Sequence, residues 1–446
     1  MSERQDRSRV VWPLNAMDRA MRCIDGLIRT MGYPGFETQM LVWLDGRADA
    51  DALRRGIARL SLRWPVVAAR LVEPAGADGD EAHWRLRPGA VAVMEEREVR
   101  SAGVEAVLEH AAALLTIPHD LTRSDPIRFF LLHRPDGRDV LLLQYNHMLM
   151  DNGDSTLVVR EIQRLAAAGD PAPCTERRNL ILDYLRRYSH PRRREAARAA
   201  LDLQGRTLHG AAATLRKEHP DSTGPPSLRF ASRCVEAEPT RAIRAGVVGL
   251  CGYPSVSMAI LASAFRAIAR LSPFRWPQRR QFTAGIGMDL NLRAGHAPAF
   301  QNLMSLVPIA AEPEDLDDRD RLVRMLSGQM RQRIDERIDL GVLRMVGMCR
   351  RYPRHFCWTV EHFLRYRYSL WYAYFGSVDS VGQRLGGAPI TQVTYHGPTW
   401  AAIGLTLLAN QHRGRLMLQA TYDPRLVPPD LADEFLDFIV EDLPRG

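Results

Sequence analysis

A histidine and an aspartate lie four residues apart at the end of a long apolar run in this 446-residue sequence. The run is Val140–Tyr145, and His147 and Asp151 follow it. A neutral imidazole can accept a proton from a hydroxyl or an amine near neutral pH. A lone histidine at a strand end is more often structural. The spacing to Asp151 and the apolar run before it nevertheless favour general-base chemistry, with His147 as the candidate base.

The elements around His147 follow from the residue pattern. A continuous apolar run is typical of a strand that is buried on both faces. Asp151-Asn152-Gly153 predicts a turn, and Asp154 or Ser155 is expected to cap the helix that follows. That helix is predicted by apolar residues at helical spacing, namely Val158, Ile162 and Leu165. A buried strand therefore delivers His147 to a strand-to-helix turn.

This stretch resembles the His-His-x-x-x-Asp-Gly motif of the chloramphenicol acetyltransferase-like superfamily. The superfamily includes peptide-synthetase condensation domains, wax ester synthase/diacylglycerol acyltransferases and polyketide-associated acyltransferases. Asn146 stands at the first histidine position, and Asn152 stands at the glycine position with Gly153 one place later. The resemblance implies that His147 is a general base acting on an acceptor hydroxyl or amine, which then attacks a thioester.

The resemblance also implies a structural role for the motif aspartate, in an ion pair with an arginine. We expect Asp151 to pair with Arg293, which ends an Asp-Leu-x-x-Arg block, and Arg128 and Arg70 are the alternatives. Asn152 and Gly153 complete the motif loop, and Asn tolerates left-handed backbone better than other non-glycine residues.

Further blocks resemble the same superfamily in the same order along the chain. Pro13-Leu14-Asn15 precedes a predicted helix that Asn15 can cap, with Asp18 in its first turn. Pro118-His119-Asp120-Leu121 is similar to a Pro-Phe-Asp-Leu block, with histidine in place of phenylalanine. Asn302 lies in a Gly-Asn-x-Val-x-x-x-Pro-Leu block in which Gln301 replaces the glycine. By this likeness Asn302 and Ser305 are candidate oxyanion or tunnel residues, and ordinary strand residues are the alternative.

The predicted fold is α/β with mixed sheets. Strands are predicted over Phe36–Leu44 and Pro65–Val72, among others, and they alternate with amphipathic helices. The resemblance implies two lobes that meet in a V around a central tunnel, with His147 near its middle. We expect an N-terminal lobe over 1–175, a helical connector and crossing over 176–226, and a C-terminal lobe over 227–446.

The composition of the chain limits the classes of binding partner that need to be considered. The formal net charge is +8 and the pI is near 9.4, carried almost entirely by arginine. A GC-rich genome explains such arginine usage, and the alternative is an anionic partner: coenzyme A, an acidic carrier protein or a membrane surface. No nucleic-acid-binding signature, metal motif or cofactor fingerprint accompanies the charge. Six cysteines without paired spacing, and no apparent signal peptide or spanning segment, predict a cytoplasmic protein.

An aromatic stretch over residues 352–376 is a second candidate feature. It interleaves phenylalanine, tyrosine and tryptophan with arginine. Packing against the core is one interpretation, a wall for an acyl chain or aromatic acceptor is another, and a face that meets lipid is a third.

Together these features predict an acyltransferase of the condensation-domain type. It would move an acyl or aminoacyl group from a coenzyme A or carrier-protein thioester to a hydroxyl or amine, in secondary or lipid metabolism. The thioester is a substrate, and no cofactor is needed. The alternative is a catalytically inactive module of the same fold that docks a carrier protein or another partner.

Overall fold

The computed structural model describes residues 11–73, 82–207, 211–220, 223–272, 280–292, 297–348 and 367–445. The strands are β1 Val11–Pro13, β2 Glu37–Leu44, β3 Arg70–Val72, β4 His83–Arg85, β5 Met94–Glu98, β6 Ile127–His133, β7 Asp139–Asn146, β8 Arg229–Val235, β9 Phe282–Asp289, β10 Met304–Ala311, β11 Leu370–Ser377, β12 Arg384–Leu385, β13 Ala388–His396, β14 Leu405–His412 and β15 Arg415–Tyr422. The helices are α1 Ala16–Thr30, α2 Ala50–Arg63, α3 Val104–Thr116, α4 Asn152–Ala166, α5 Leu180–Arg186, α6 His190–Thr207, α7 Ala237–Cys251, α8 Val256–Leu271, α9 Arg319–Asp335, α10 Ile338–Met348 and α11 Pro429–Asp442.

Two mixed six-stranded sheets organise the fold, as the alternating pattern predicts. The first has the order β12-β13-β2-β7-β6-β5, and only its β5–β6 pair is parallel among the described strands. Every residue of β2 and β7 is buried, which confirms the strand that was expected to be covered on both faces. These two central strands present the residues around His147.

The second sheet has the order β10-β9-β11-β14-β15-β8. Strand β11 runs parallel to both of its neighbours, β9 and β14. One face of this sheet packs against α8, α9 and α11 in a separate apolar core that contains Phe265, Leu407 and Phe435. The other face turns towards the first sheet, where Trp371 and Leu408 join the core of the N-terminal lobe.

The chain crosses between the lobes near its C-terminal end. Strands β12 and β13 come from the region expected to form the C-terminal lobe, yet β13 pairs with β2 over Ile390–His396. Strands β12 and β13 therefore extend the first sheet and tie the two sheets together. The lobe boundary at residue 227 stays a prediction. The connector over 176–226 contains α5 and α6, which pack against α10.

One sequence-based strand was wrong over half of its length. Residues Pro65–Ala68 form a 3-10 turn, and only Arg70–Val72 of the expected strand pairs with a neighbour. Proline lacks a backbone N–H and has a φ angle preset for the first turn of a helix, so Pro65 favours the turn. The apolar residues Val66 and Val67 are buried there all the same.

Within the described residues, no single helix is both long and apolar enough to cross a membrane. The adjacent helices α7 and α8 meet that criterion only when they are taken together, and they are bent by 93° at the break.

Candidate active site

His147 lies in the loop that joins β7 to α4, between the two sheets. Its backbone N–H donates to the carbonyl of Phe36 at 2.9 Å, and its ring stacks on the Phe36 ring with 4.9 Å between centroids and 14° between planes. The residue is 8% exposed and lines a cavity of about 360 Å³. The backbone and the ring of Phe36 therefore fix both the depth and the plane of the imidazole.

Asn302 fixes the tautomer of His147. Its Nδ2 donates to the carbonyl of His147 at 2.8 Å and to Oδ1 of Asp18 at 3.0 Å, and both of these atoms only accept. The amide oxygen of Asn302 must therefore face the ring, where it lies 2.8 Å from Nδ1 of His147. Because a carbonyl oxygen only accepts, Nδ1 carries the hydrogen. The lone pair then belongs to Nε2, the nitrogen that a general base requires.

Asp18 anchors this arrangement from the start of α1. It forms a reciprocal capping box with Asn15, which confirms the predicted cap. Oδ1 of Asp18 accepts from the backbone N–H of Asn302 at 3.0 Å, and Oδ2 accepts from Arg177 at 2.7 Å. The side chains of Asp18 and Arg177 are 0% and 4% exposed, so this ion pair is shielded from water. Sequence reasoning found the cap but not its contact with Asn302, because 284 residues separate the two partners.

The electrostatics of the pocket favour a neutral ring. Burial lowers the pKa of the His147 imidazole, and the nearby carboxylates of Asp151 and Asp18 and the hydrogen bond to Asn302 offset this only in part. A lowered pKa keeps the ring uncharged at neutral pH, and an uncharged imidazole is the form that accepts a proton.

Asp151 caps α4, whereas Asp154 or Ser155 was expected to do so. Its carboxylate accepts from the backbone N–H of Asp154 at 3.2 Å and from that of Leu303 at 2.9 Å. The carboxylate of Asp154 instead accepts from the backbone N–H of Ala299 at 3.1 Å, and the hydroxyl of Ser155 donates to the carbonyl of Asn152 at 2.7 Å. The motif aspartate therefore joins the start of α4 to the residues that lead into β10.

The arginine partner of Asp151 stays a prediction, because Arg293 lies outside the described residues. Of the two alternatives, Arg70 pairs with Asp125, and the guanidinium of Arg128 lies 6.0 Å from the centroid of the Phe130 ring.

The altered motif positions are accommodated without left-handed backbone. Asn152 is the first residue of α4, and it is absent from the described non-glycine residues with positive φ. Its side-chain oxygen accepts a hydrogen bond from the hydroxyl of Tyr145. Asn146 is fully buried, and its Nδ2 donates to Asp25 and Glu37 at 2.8 Å each. Both substitutions thus have defined partners, and Gly153 follows Asn152 within the helix.

Ser305 and Asn302 were candidates for stabilising an oxyanion. The hydroxyl of Ser305 is buried and donates to the carbonyl of Asp339 at 3.3 Å. The two amide hydrogens of Asn302 are both used by His147 and Asp18. In this arrangement Asn302 acts on the ring of His147, and the oxyanion role stays a prediction.

The cavity beside His147 is walled largely by aromatic and apolar side chains. Strand β11 contributes Trp371 and Phe375, while Met21, Met304 and Leu408 come from three other elements. This is the described part of the aromatic stretch noted in the sequence, and the part over 349–366 lies outside the described residues. Apolar walls with a few polar groups are typical of small-molecule sites. Among the described residues, no group of three or more potential ligands could hold a metal ion.

Comparison with known proteins defines the fold. No family model matches the sequence, and no curated protein matches it at a significant level. Solved structures match over almost the whole chain. The first condensation domain of the CDA synthetase has a TM-score of 0.71 at 13% identity, covering 98% of both chains. A trichothecene 15-O-acetyltransferase from Fusarium sporotrichioides has a TM-score of 0.68 at 12% identity, covering 97% of this chain and 94% of that one.

A third match is a mutant starter condensation domain of rhizomide synthetase in complex with C8-CoA and Leu-SNAC. Its TM-score is 0.66 at 14% identity, and the match covers 98% of this chain and 96% of that one. The chain therefore has the two-lobed, chloramphenicol acetyltransferase-like fold of condensation domains and related acetyltransferases. At these identities the likeness establishes the fold alone, so the reaction has to be argued from the site.

Proposed function

We propose that this protein is an acyltransferase that moves an acyl or aminoacyl group from a thioester to a hydroxyl or an amine, with His147 as general base. The observation that carries the proposal is the orientation of His147. Its Nδ1 is committed to Asn302, which leaves Nε2 as the basic nitrogen of a neutral ring at the wall of a cavity.

The reaction needs one base and no covalent enzyme intermediate. Nε2 of His147 takes the proton of the acceptor hydroxyl or amine as the acceptor oxygen or nitrogen attacks the thioester carbonyl. The tetrahedral intermediate then expels the thiolate, which receives the proton from the imidazolium. An ester or amide and a free thiol result, and His147 returns to its neutral form. A base in this role typically contributes about 10²–10⁴-fold to the rate.

The walls of the cavity favour an acyl group without negative charge, because its described charged lining residues include the carboxylates of Asp151 and Asp289. Phe36, Trp371, Phe375 and Leu408 line it together with the two methionines named above, and no lysine or arginine is among its described lining residues. A coenzyme A or carrier-protein thioester is the proposed donor. The rhizomide synthetase domain, solved in complex with C8-CoA and Leu-SNAC, supports a thioester donor for this fold.

The alternative function is a catalytically inactive module that docks a carrier protein. It is favoured by the departures from the family motif at Asn146, Asn152 and Gln301. The buried anchoring of the His147 ring opposes it. Asn302, Asp18 and Arg177 form a desolvated network around the base, and such a network is costly unless each partner is satisfied.

A donor panel tests the proposal. Wild-type protein is incubated with acyl-coenzyme A and carrier-bound donors, together with hydroxyl and amine acceptors, and free thiol and product mass are measured. Thiol release that depends on an acceptor, with a product heavier by the acyl group, is expected. Binding of a carrier protein without thiol release from any donor would contradict the acyltransferase and support the docking module.

A further inference from the structure

Asn146 is held by two buried carboxylates. Its Oδ1 accepts from the backbone N–H of Met148 at 3.0 Å, so its NH2 group must face the other way. There it donates to Oδ1 of Asp25 and to Oε1 of Glu37, at 2.8 Å each. Asn146 therefore ties the loop that carries His147 to two acids, and each of these acids needs a counter-charge if it is ionised.

Asp25 has its counter-charge in Arg29, whose Nε lies 2.7 Å from its carboxylate. Glu37 is 0% exposed, and its second oxygen lies 3.0 Å from Nδ1 of His119. The other ring nitrogen of His119, Nε2, lies 2.7 Å from the backbone carbonyl of Asp125. Because a carbonyl only accepts, Nε2 of His119 must carry a hydrogen.

The remaining question is whether the shared proton belongs to His119 or to Glu37. Burial raises the pKa of Glu37, but the charge of His119, its hydrogen bond and that of Asn146, and the charge of Arg128 outweigh it, so the pKa is lowered. A carboxylate with a lowered pKa is ionised at neutral pH, and it then accepts from Nδ1. With Glu37 ionised, both ring nitrogens of His119 act as donors, as they do only in an imidazolium.

We propose that His119 is a positioning residue, held as an imidazolium, which fixes Glu37 and through it Asn146 and the loop that carries His147. The inference rests on the proposed function of His147. It links two departures from the family pattern that are 27 positions apart in the numbering: histidine at the phenylalanine position of the Pro-x-Asp-Leu block, and asparagine at the first motif histidine. Both side chains contact the same glutamate.

Several other charged groups surround His119 and Glu37. Arg29 on α1 donates to the backbone carbonyl of His119 at 3.0 Å, and Arg128 on β6 and Asp25 on α1 lie near Glu37. Asp120 follows His119 and is largely exposed, with its carboxylate bonded to Thr122.

Nitrogen-15 NMR of selectively labelled histidines in the full-length protein tests the charge directly. We expect both ring nitrogens of His119 to be protonated at neutral pH, with assignment by the His119→Phe variant. His396 is an internal reference, because it is fully buried, stacks on Phe230, and burial lowers its pKa to about 3. A bare nitrogen on His119 at neutral pH would overturn the inference, whether or not the protein transfers acyl groups.

The positioning role has its own measurement in the same spectra. In His119→Phe the unpaired Glu37 charge should disturb the loop, so the ring signals of His147 should shift and its preference for the Nδ1–H tautomer should weaken. His396→Phe is the matched control and should leave those signals unchanged. Unchanged His147 signals in His119→Phe would contradict the positioning role.

Kinetics add a readout that a merely structural role would not produce. We expect kcat to fall by about 10²-fold in His119→Phe, the size expected of a misplacement of about 1 Å, with KM little changed. Adding Glu37→Gln to that variant removes the unpaired charge and keeps an acceptor for Asn146, so part of kcat should return. A fall in the melting temperature with no change in kcat would leave His119 with a structural role only.

Discussion

Two polar networks meet His147 from opposite sides, and they act on different parts of it. On the inter-lobe side, Asn302 holds the ring and is itself held by Asp18. On the side of the N-terminal sheet, Asn146 holds the backbone of the loop and is held by Glu37 and Asp25. The first network selects which nitrogen carries the lone pair, and the second selects where the ring lies. A base needs both a defined tautomer and a defined position.

The ring-side network should be the more sensitive of the two. Asn302→Ala removes the acceptor from Nδ1 and the Nδ2 donor from Asp18. The backbone N–H at position 302 remains, so the main loss is the fixed tautomer of His147. We expect turnover to fall by about 10²-fold, with both His147 tautomers present by NMR. Ser305→Ala, three residues further along the chain, is the control and should change turnover little. Equal effects of the two variants would contradict the role given to Asn302.

The motif aspartate should affect stability more than chemistry. Asp151→Ala removes a helix cap, which typically costs about 0.5–2 kcal/mol, and leaves the backbone N–H of Leu303 without its acceptor. A buried donor without a partner adds about 1–3 kcal/mol. The melting temperature should therefore drop, and Asp151→Asn, whose single amide oxygen can accept only one of the two hydrogen bonds, should restore part of it. A stable Asp151→Ala variant without turnover would instead assign Asp151 a chemical role.

The acid limb of the pH profile should reflect the ring of His147. Because burial lowers its pKa, kcat/KM should stay high below the ordinary histidine value of about 6.5 and fall only at lower pH. The unfolded chain then binds a proton that the native state lacks, so the contribution to stability is lost as pH decreases through this range. An acid limb at or above the ordinary value would contradict a desolvated base.

The smallest expected effect lies on the cavity wall, which neither network touches. Phe375→Ala enlarges the apolar wall on β11, so KM for an acyl donor should increase by a few-fold to about tenfold, since removed apolar area weakens binding by about 25 cal/mol per Å². The change should be larger for long acyl chains than for acetyl. A uniform fall in kcat across donors would indicate that Phe375 supports the base and not the acyl group.

The sequence predicted the strand before His147 and the helix after it because these are local features, but the turn expected at Asp151-Asn152-Gly153 was wrong, since Asn152 and Gly153 are the first residues of α4. The apolar run before His147, the helical spacing after it and the Asn15 cap need only neighbouring residues. The contacts that give the site its chemistry are distant: Asn302 meets Asp18 across 284 residues, and Asn146 meets Asp25 across 121. The local pattern also predicted the wrong element or the wrong cap where two local preferences competed. Pro65 starts a turn within an apolar segment that otherwise favours a strand, and Asp151 caps α4 ahead of the residues expected to do so.

The sequence could not predict how His119 and Asn146 meet. Each is an isolated departure from a family block, and neither carries a signal of its own. The pairing of β2 with β7 sets Glu37 opposite Asn146, and the segment between α3 and β6 brings His119 to the same carboxylate. The register of two buried strands therefore determines which of their polar side chains contact each other.

The most direct test of the account is acceptor-dependent thiol release by wild type, His147→Ala and His110→Ala, with whichever donor of the panel is turned over. His110 lies on α3, away from the cavity walls described above. We predict that His147→Ala loses about 10²–10⁴-fold in turnover with an unchanged melting temperature, while His110→Ala retains wild-type turnover. If His147→Ala stays within a few-fold of wild type, His147 is not the base and the mechanism proposed for this fold is wrong.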